Sequence, residues 1–152
     1  MTTKEFLFLA AWMAFGVSAV RADDLTCSIS VLSFKPKDQA VPAELAIKNS
    51  GPKAIRICTL CMGWKSNFKD SFDVLLTPDH WKSDAPILET SAKSIVTIQP
   101  GGTARIPFQI FTLNRQQMRV TAGYMVSPEF AAELHIWSGG IGATPVDIKL
   151  EP

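Results

Sequence analysis

Long apolar runs are scarce in this 152-residue chain: one extends from Phe6 to Val20, and none follows it. That run is shorter than the roughly 18 to 20 residues a helix needs to cross a bilayer. With Lys4 before it and Val20-Arg21-Ala22 after it, it fits a cleaved export signal. The expected cut follows Ala22, with Ala19 as the alternative. The sequence therefore predicts a signal peptide over 1–22, a single domain over 23–152, secretion or a periplasmic location, and no membrane span in the mature chain. A domain of that length is large enough to bury a core of its own.

Charge of one sign is also missing. Without Lys4, Glu5 and Arg21, thirteen basic and thirteen acidic residues remain. Nucleic acid is excluded as an expected partner, because phosphate binding requires a basic field. Histidine is limited to His80 and His135, too few at too wide a spacing for a zinc site built with one cysteine pair. The chain has no Gly-x-Ser-x-Gly elbow, His-Glu-x-x-His pair or phosphate-binding glycine loop ending in Lys-Ser/Thr. Asp79-His80 has acid–base character but no identifiable nucleophile to serve. The expectation is a non-enzyme without a cofactor.

What the chain does contain is alternation. Leu25, Cys27, Ile29 and Val31 interleave with Thr26, Ser28 and Ser30, and Leu45 and Ile47 alternate with Glu44 and Lys48. This is the period-two pattern of half-buried strands. Further strands are expected at 54–58, 72–77, 94–99, 104–111, 119–126, 132–137 and 146–150. A loop is expected from Leu60 to Asp70, an irregular stretch from Pro78 to Lys93, and one helical turn from Leu113 to Met118. Asn49-Ser50-Gly51-Pro52-Lys53, Pro100-Gly101-Gly102 and Ser138-Gly139-Gly140-Ile141-Gly142 read as turns. Pro107 implies an edge or a bulge in its strand, since proline donates nothing to a ladder. About eight or nine short strands at this spacing predict an all-β, antiparallel β-sandwich.

The hairpin Asn49 to Ile57, the Pro100-Gly101-Gly102 turn, and the ending from Tyr124 through Trp137-Ser138-Gly139 to Val146-Asp147-Ile148-Lys149-Leu150 resemble bacterial extracytoplasmic immunoglobulin-like domains. The likeness spans roughly Leu25 to Leu150. It implies an immunoglobulin-like sandwich serving as a binding, spacing or adhesion module. The Cys…Trp…Cys framework of antibody domains is absent, so no inter-sheet disulfide carries over from the resemblance.

Cys27, Cys58 and Cys61 are the chemically distinctive residues. An oxidising compartment favours disulfides, and an odd count leaves one thiol over. The preferred pairing is Cys27 with Cys61, which shares the inward phase of Ile55 and Ile57, or else with Cys58; a Cys58–Cys61 bridge is the alternative. A rival function, periplasmic handling of copper or zinc or thiol redox chemistry, would use Cys58, Cys61 and Met62, since two thiolates and a thioether suit a soft metal, joined by Cys27 or His80. Aromatic side chains in loops supply the other candidates. Trp64 and Phe68, with His80 and Trp81, are expected to contact a protein or a cell-envelope polymer, because aromatic rings bury large area at low entropic cost. Glu133, His135 and Trp137 would share one strand face.

Overall fold

The computed structural model describes residues 24–35, 38–78, 94–113 and 115–150. The alternating segments there become ten strands, with one short helix among them. In chain order they are β1 (Leu25–Val31), β2 (Ala40–Asn49), β3 (Ile55–Cys58), β4 (Cys61–Phe68), β5 (Ser71–Pro78), β6 (Ile95–Ile98), β7 (Thr103–Phe111), β8 (Gln117–Val126), α1 (Pro128–Leu134), β9 (Gly139–Gly142) and β10 (Val146–Lys149). The expected signal peptide, and His80 and Trp81 with most of the irregular stretch, lie outside the described residues.

Three sheets result. One has the order β1-β2-β7, one pairs β3 with β6, and the largest runs β4-β5-β8 with β9 and β10 both on the far edge of β8. Every pairing is antiparallel except β5 with β8, which is parallel. Pro107 stands on β7, an edge of its sheet among the described residues, where a missing N–H costs no ladder bond. On the edge of β8, Gly142 faces Gly123 and Val146 faces Val120. Residues 143–145 therefore oppose only 121–122, and the bulged segment contains Pro145, which cannot donate in any case.

The inward phases expected from the sequence are observed. Leu45, Ile47, Phe72, Val74, Ile106 and Ile110 are fully enclosed, and Cys27, Ile29 and Val31 pack against the same cluster. That one apolar cluster draws on all three sheets. Burial of apolar area on this scale is the principal favourable term in folding.

Turn chemistry is equally specific around Asn49, whose side chain is fully buried. Its amide donates to the carbonyls of Lys53 at 2.7 Å and Ile98 at 3.0 Å, and its side-chain oxygen accepts from the Gly51 N–H. Its own backbone pairs with Gly101 and Gly102. A single residue thus ties the β2–β3 turn to the β6–β7 turn, where Gly101 adopts φ +80°.

Four expectations are corrected. The stretch from Leu60 to Asp70 contains β4, which pairs with β5 through a tight turn at Lys69 (φ 53°); its face alternation is blurred because Gly63 and Lys65 occupy core-side positions. Residues 132–137 are not a strand. Ser127 caps α1 by accepting from the Phe130 N–H, Pro128 opens the helix, Glu129 suits its first turn, and His135 ends it in the left-handed region. The glycine-rich segment after Ser138 is not only a turn, since it supplies β9. No helix forms between Leu113 and Met118 among the described residues, and Gln117 and Met118 begin β8. No helix among the described residues is long and apolar enough to cross a membrane.

Candidate functional site

The candidate residues divide between two ends of the strands. At the first, β3 ends in Cys58 and β4 begins at Cys61, so the Cys-x-x-Cys motif forms the connection between two sheets. The Cys61 Sγ–H points to the Cys58 carbonyl at 3.6 Å, and Cys58 Sγ–H points to the Leu60 carbonyl at 3.7 Å. Tyr124 reaches the same place from β8, and its hydroxyl bonds the Cys58 backbone. Trp137 stacks on the Tyr124 ring at 6.1 Å, while its backbone N–H donates to the Arg56 carbonyl. The indole Nε1 of Trp137 is the one buried side-chain polar atom without a partner among the described residues.

All three cysteines are thiols, and no disulfide joins any two of them. The pairing expected from Cys27 to Cys61 or Cys58 is absent. Cys27 and Cys61 do both turn toward the core, as their phase required. Cys27 is opposite Ile47 in the β1-β2-β7 sheet, however, and Cys61 is opposite Pro78 in the β4-β5-β8 sheet. A shared inward phase does not place two sulfur atoms within bonding distance.

Burial pushes the Cys27 thiol up to about 12 and also raises Cys58 and Cys61; at Cys61 the neighbouring Cys58 adds to the rise. Burial raises the Tyr124 phenol for the same reason. Thiols in this state are protonated near neutral pH, the reverse of the lowered pKa that activates a redox cysteine. Met62 does not join them. Successive residues of a strand face opposite ways, and Cys61 packs on the core, which turns Met62 away from it. Among the described residues no three His, Cys, Asp or Glu side chains are grouped to hold a metal ion.

The second end is open. Phe68 closes β4 and is 66% exposed, Phe111 closes β7 at 39%, and Leu113 beyond it is 58% exposed. Phe111 meets the core-side face of the β4–β5 hairpin, whereas Phe68 lies on its opposite face. Ser71 Oγ donates to the Phe68 carbonyl, Phe111 meets Phe72 edge to face at 6.4 Å, and the Arg115 guanidinium donates to the Ser71 carbonyl at 3.2 Å. Lysine ammonium groups sit over the rings, Lys65 at 4.3 Å from the Phe111 centroid and Lys69 at 5.4 Å from that of Phe68. Both distances fall within cation–π range. Beside them, Asp70, Arg115, Gln116, Gln117 and Lys149 line a surface cleft of about 490 Å³.

Of the expected contact residues, Phe68 belongs to this exposed end. Trp64 is half-buried in mid-β4 opposite Leu75, four residues from Phe68 on the same face of the strand. Phe111, Leu113, Lys65, Lys69 and Arg115 were not singled out from the sequence. Phe111 has the composition of a strand residue, and its exposure depends on the strand ending there. No protein-family model, no curated protein and no solved structure matches this chain.

Proposed function

We propose that this chain is an exported, non-enzymatic, immunoglobulin-like module that binds a protein through the end of the domain formed around the β4–β5 hairpin. One observation carries the reading. Of the five large apolar side chains exposed among the described residues, Phe68 stands on that hairpin and Phe111 packs against it. Exposed apolar groups scattered singly need no explanation, whereas a cluster ringed by polar groups marks an interaction surface. The opposite end supports the assignment by contrast, since Tyr124, Cys58 and Trp137 are buried there.

A photo-crosslinking amino acid at position 68, with a control at the exposed position 97 of β6, tests this in living cells that make the protein. The expected result is one discrete adduct from position 68 and none from 97. Absence of any adduct, or the same adducts from both positions, would overturn the reading.

The rival, a metal-handling or thiol-redox protein, rests on both thiols turning into the one Cys58–Cys61 connection. Titration of the reduced chain with Cu(I) and Zn(II) tests it. Tight one-to-one binding that Cys58→Ser abolishes would favour it over the binding module.

A further inference from the structure

We infer that β1 is a self-association edge: two copies of this chain pair β1 with β1, antiparallel and centred on Ser28, and so join their β1-β2-β7 sheets into one. This edge is distinct from the hairpin end proposed above, and the two roles stand or fall separately.

The bonds at the two ends of the β1–β2 ladder fix which way each backbone group of β1 points. The Ser50 N–H donates to the Asp24 carbonyl and the Leu32 N–H to the Pro42 carbonyl, both at 2.9 Å. Hydrogen-bonded and non-hydrogen-bonded positions alternate along an antiparallel pair. With the register of β1 on β2, Thr26, Ser28 and Ser30 therefore direct their N–H and C=O groups to β2, while Leu25, Cys27, Ile29 and Val31 direct theirs away from it. Among the described residues none of those outward groups has a hydrogen-bond partner. β9 runs near β1 but belongs to another sheet and shares no ladder bond with it.

An open edge is ordinarily protected by charge, proline, a bulge or brevity, and the other edges of this fold are. β7 carries Arg105 and Pro107, β4 turns Lys65 to its core side, β10 carries Asp147 and Lys149, and β6 and β9 are four residues long. The outer groups of β3 are taken by Tyr124 and Trp137. β1 has no such device: its seven residues include no charge, proline or glycine. An edge without charge selects an equally neutral strand, and a second copy supplies one of the same length. Centred on Ser28, the antiparallel register sets Leu25 opposite Val31 of the second copy and Cys27 opposite Ile29, so every outward group meets an outward group and about eight ladder bonds form. Cys27, Ile29 and Val31, half-buried at the rim of the core, gain apolar cross-strand neighbours on one face. On the other, Thr26 meets Ser30 and Ser28 meets its own counterpart, small hydroxyl pairs that suit opposed strands. The contact is isologous and closes at two copies.

Sedimentation equilibrium of the protein purified from cells that make it tests this, and should show a reversible monomer–dimer equilibrium. Ser28→Lys sets like charges directly opposite one another and should weaken the dimer about five-fold, as should Ser28→Glu. An equimolar mixture of the two variants should associate at least as tightly as the parent, which loss of folding in either variant would prevent. Disulfide trapping fixes the register. Non-hydrogen-bonded partners lie about 4.5 Å apart at Cα, within reach of a disulfide, so Ser28→Cys should cross-link to itself under mild oxidation. Thr26→Cys and Ser30→Cys should each fail to cross-link alone and should do so when mixed, and the parent, with its native thiols buried or half-buried, should give no covalent dimer.

A monomer at every concentration, a Ser28→Cys chain that does not cross-link, or lysine and glutamate variants that associate no better mixed than alone would overturn the inference. Self-linking of Thr26→Cys would overturn it too, since it would show strands paired in parallel. None of these results bears on the photo-adduct at position 68, which reports on the hairpin end alone.

Discussion

The Tyr124 hydroxyl holds both backbone groups of Cys58: it donates to the carbonyl at 3.0 Å and accepts from the N–H at 3.2 Å. Cys58 is the last residue of β3, where its ladder with β6 ends, and Tyr124 lies in a different sheet. The phenol thereby replaces the strand pairing that β3 lacks at this point and binds two sheets to each other. Tyr124→Phe keeps the ring and its stack on Trp137 but removes the phenol's bonds to the buried Cys58 N–H and carbonyl, the carbonyl keeping the weaker Cys61 Sγ–H. Each such loss costs about 1–3 kcal/mol. Urea unfolding of the variant should show a midpoint lowered by that order, with an unchanged slope. An unchanged midpoint would show that the hydroxyl contributes no stability.

Asn49 makes a comparable connection with three side-chain bonds, all in or near the core. Asn49→Ala removes the donor amide, leaving the Ile98 carbonyl and the Gly51 N–H to find water in a closed site. A loss of about 2–4 kcal/mol follows from two or more such groups. Asn49→Asp should be no better, because its ionised oxygens cannot donate to the Lys53 and Ile98 carbonyls. Thermal melts of the two variants beside the parent check this, and an aspartate variant as stable as the parent would refute the bonding scheme.

The thiols give stability a pH dependence with a definite sign. In the unfolded chain they ionise near the ordinary value of 9.0, while burial holds the folded Cys27 protonated up to about 12. Between those values the native state binds more protons than the unfolded state, so stability is complete below pH 9 and declines as pH rises through the window. One such thiol contributes a slope of about 1.4 kcal/mol per pH unit. Cys58 and Cys61 shift in the same direction and steepen it. Urea midpoints at pH 7, 8, 9 and 10 should fall only at the alkaline end, and less steeply in Cys27→Ala than in the parent. The same burial predicts slow reaction of the native thiols with an aromatic disulfide reagent at pH 7.5. Labelling complete within seconds would contradict it.

Much of the β architecture was legible because burial on one face imposes alternation. Leu45 and Ile47, or Ile106 with Phe108 and Ile110, cannot share a face unless the segment is a strand. β4 was obscured because its core-side positions hold Gly63 and Lys65, and nothing in composition separates such a strand from a loop. The Ser127-Pro128-Glu129 start of α1 was present in the sequence as a cap, a helix-opening proline and a first-turn acid. It was outweighed by the apparent alternation of Leu134 and Ile136. The thiol pairing failed for a different reason: inward phase is a property of one strand, whereas a bridge depends on the separation of two sheets. For the candidate site, the exposure of Phe68 was readable from its place before Lys69-Asp70. The exposure of Phe111 and Leu113 depends on where β7 stops relative to the β4–β5 hairpin, a tertiary fact.

Gly139 and Gly140 are adjacent in β9, yet they should respond oppositely to alanine. Gly139 has φ +137°, and a Cβ there would lie 2.9 Å from Cζ2 of the Trp137 ring. That ring is buried and stacked on Tyr124, so it cannot swing aside without disturbing the Tyr124–Cys58 contact. The backbone conformation alone costs an L-residue about 1–3 kcal/mol, and the clash adds to it. At Gly140 the nearest heavy atom is Met125 Cγ at 3.8 Å, an ordinary contact, and alanine there should be neutral or stabilising by up to about 1 kcal/mol. Thermal melts resolve the difference, since 1 kcal/mol shifts the midpoint by roughly 2–8 °C in domains of this size class. Gly139→Ala should also alter the tryptophan fluorescence, because Trp137 must move to admit the methyl group. Equal melting temperatures for the two variants would show that Trp137 does not press on Gly139 as the geometry requires.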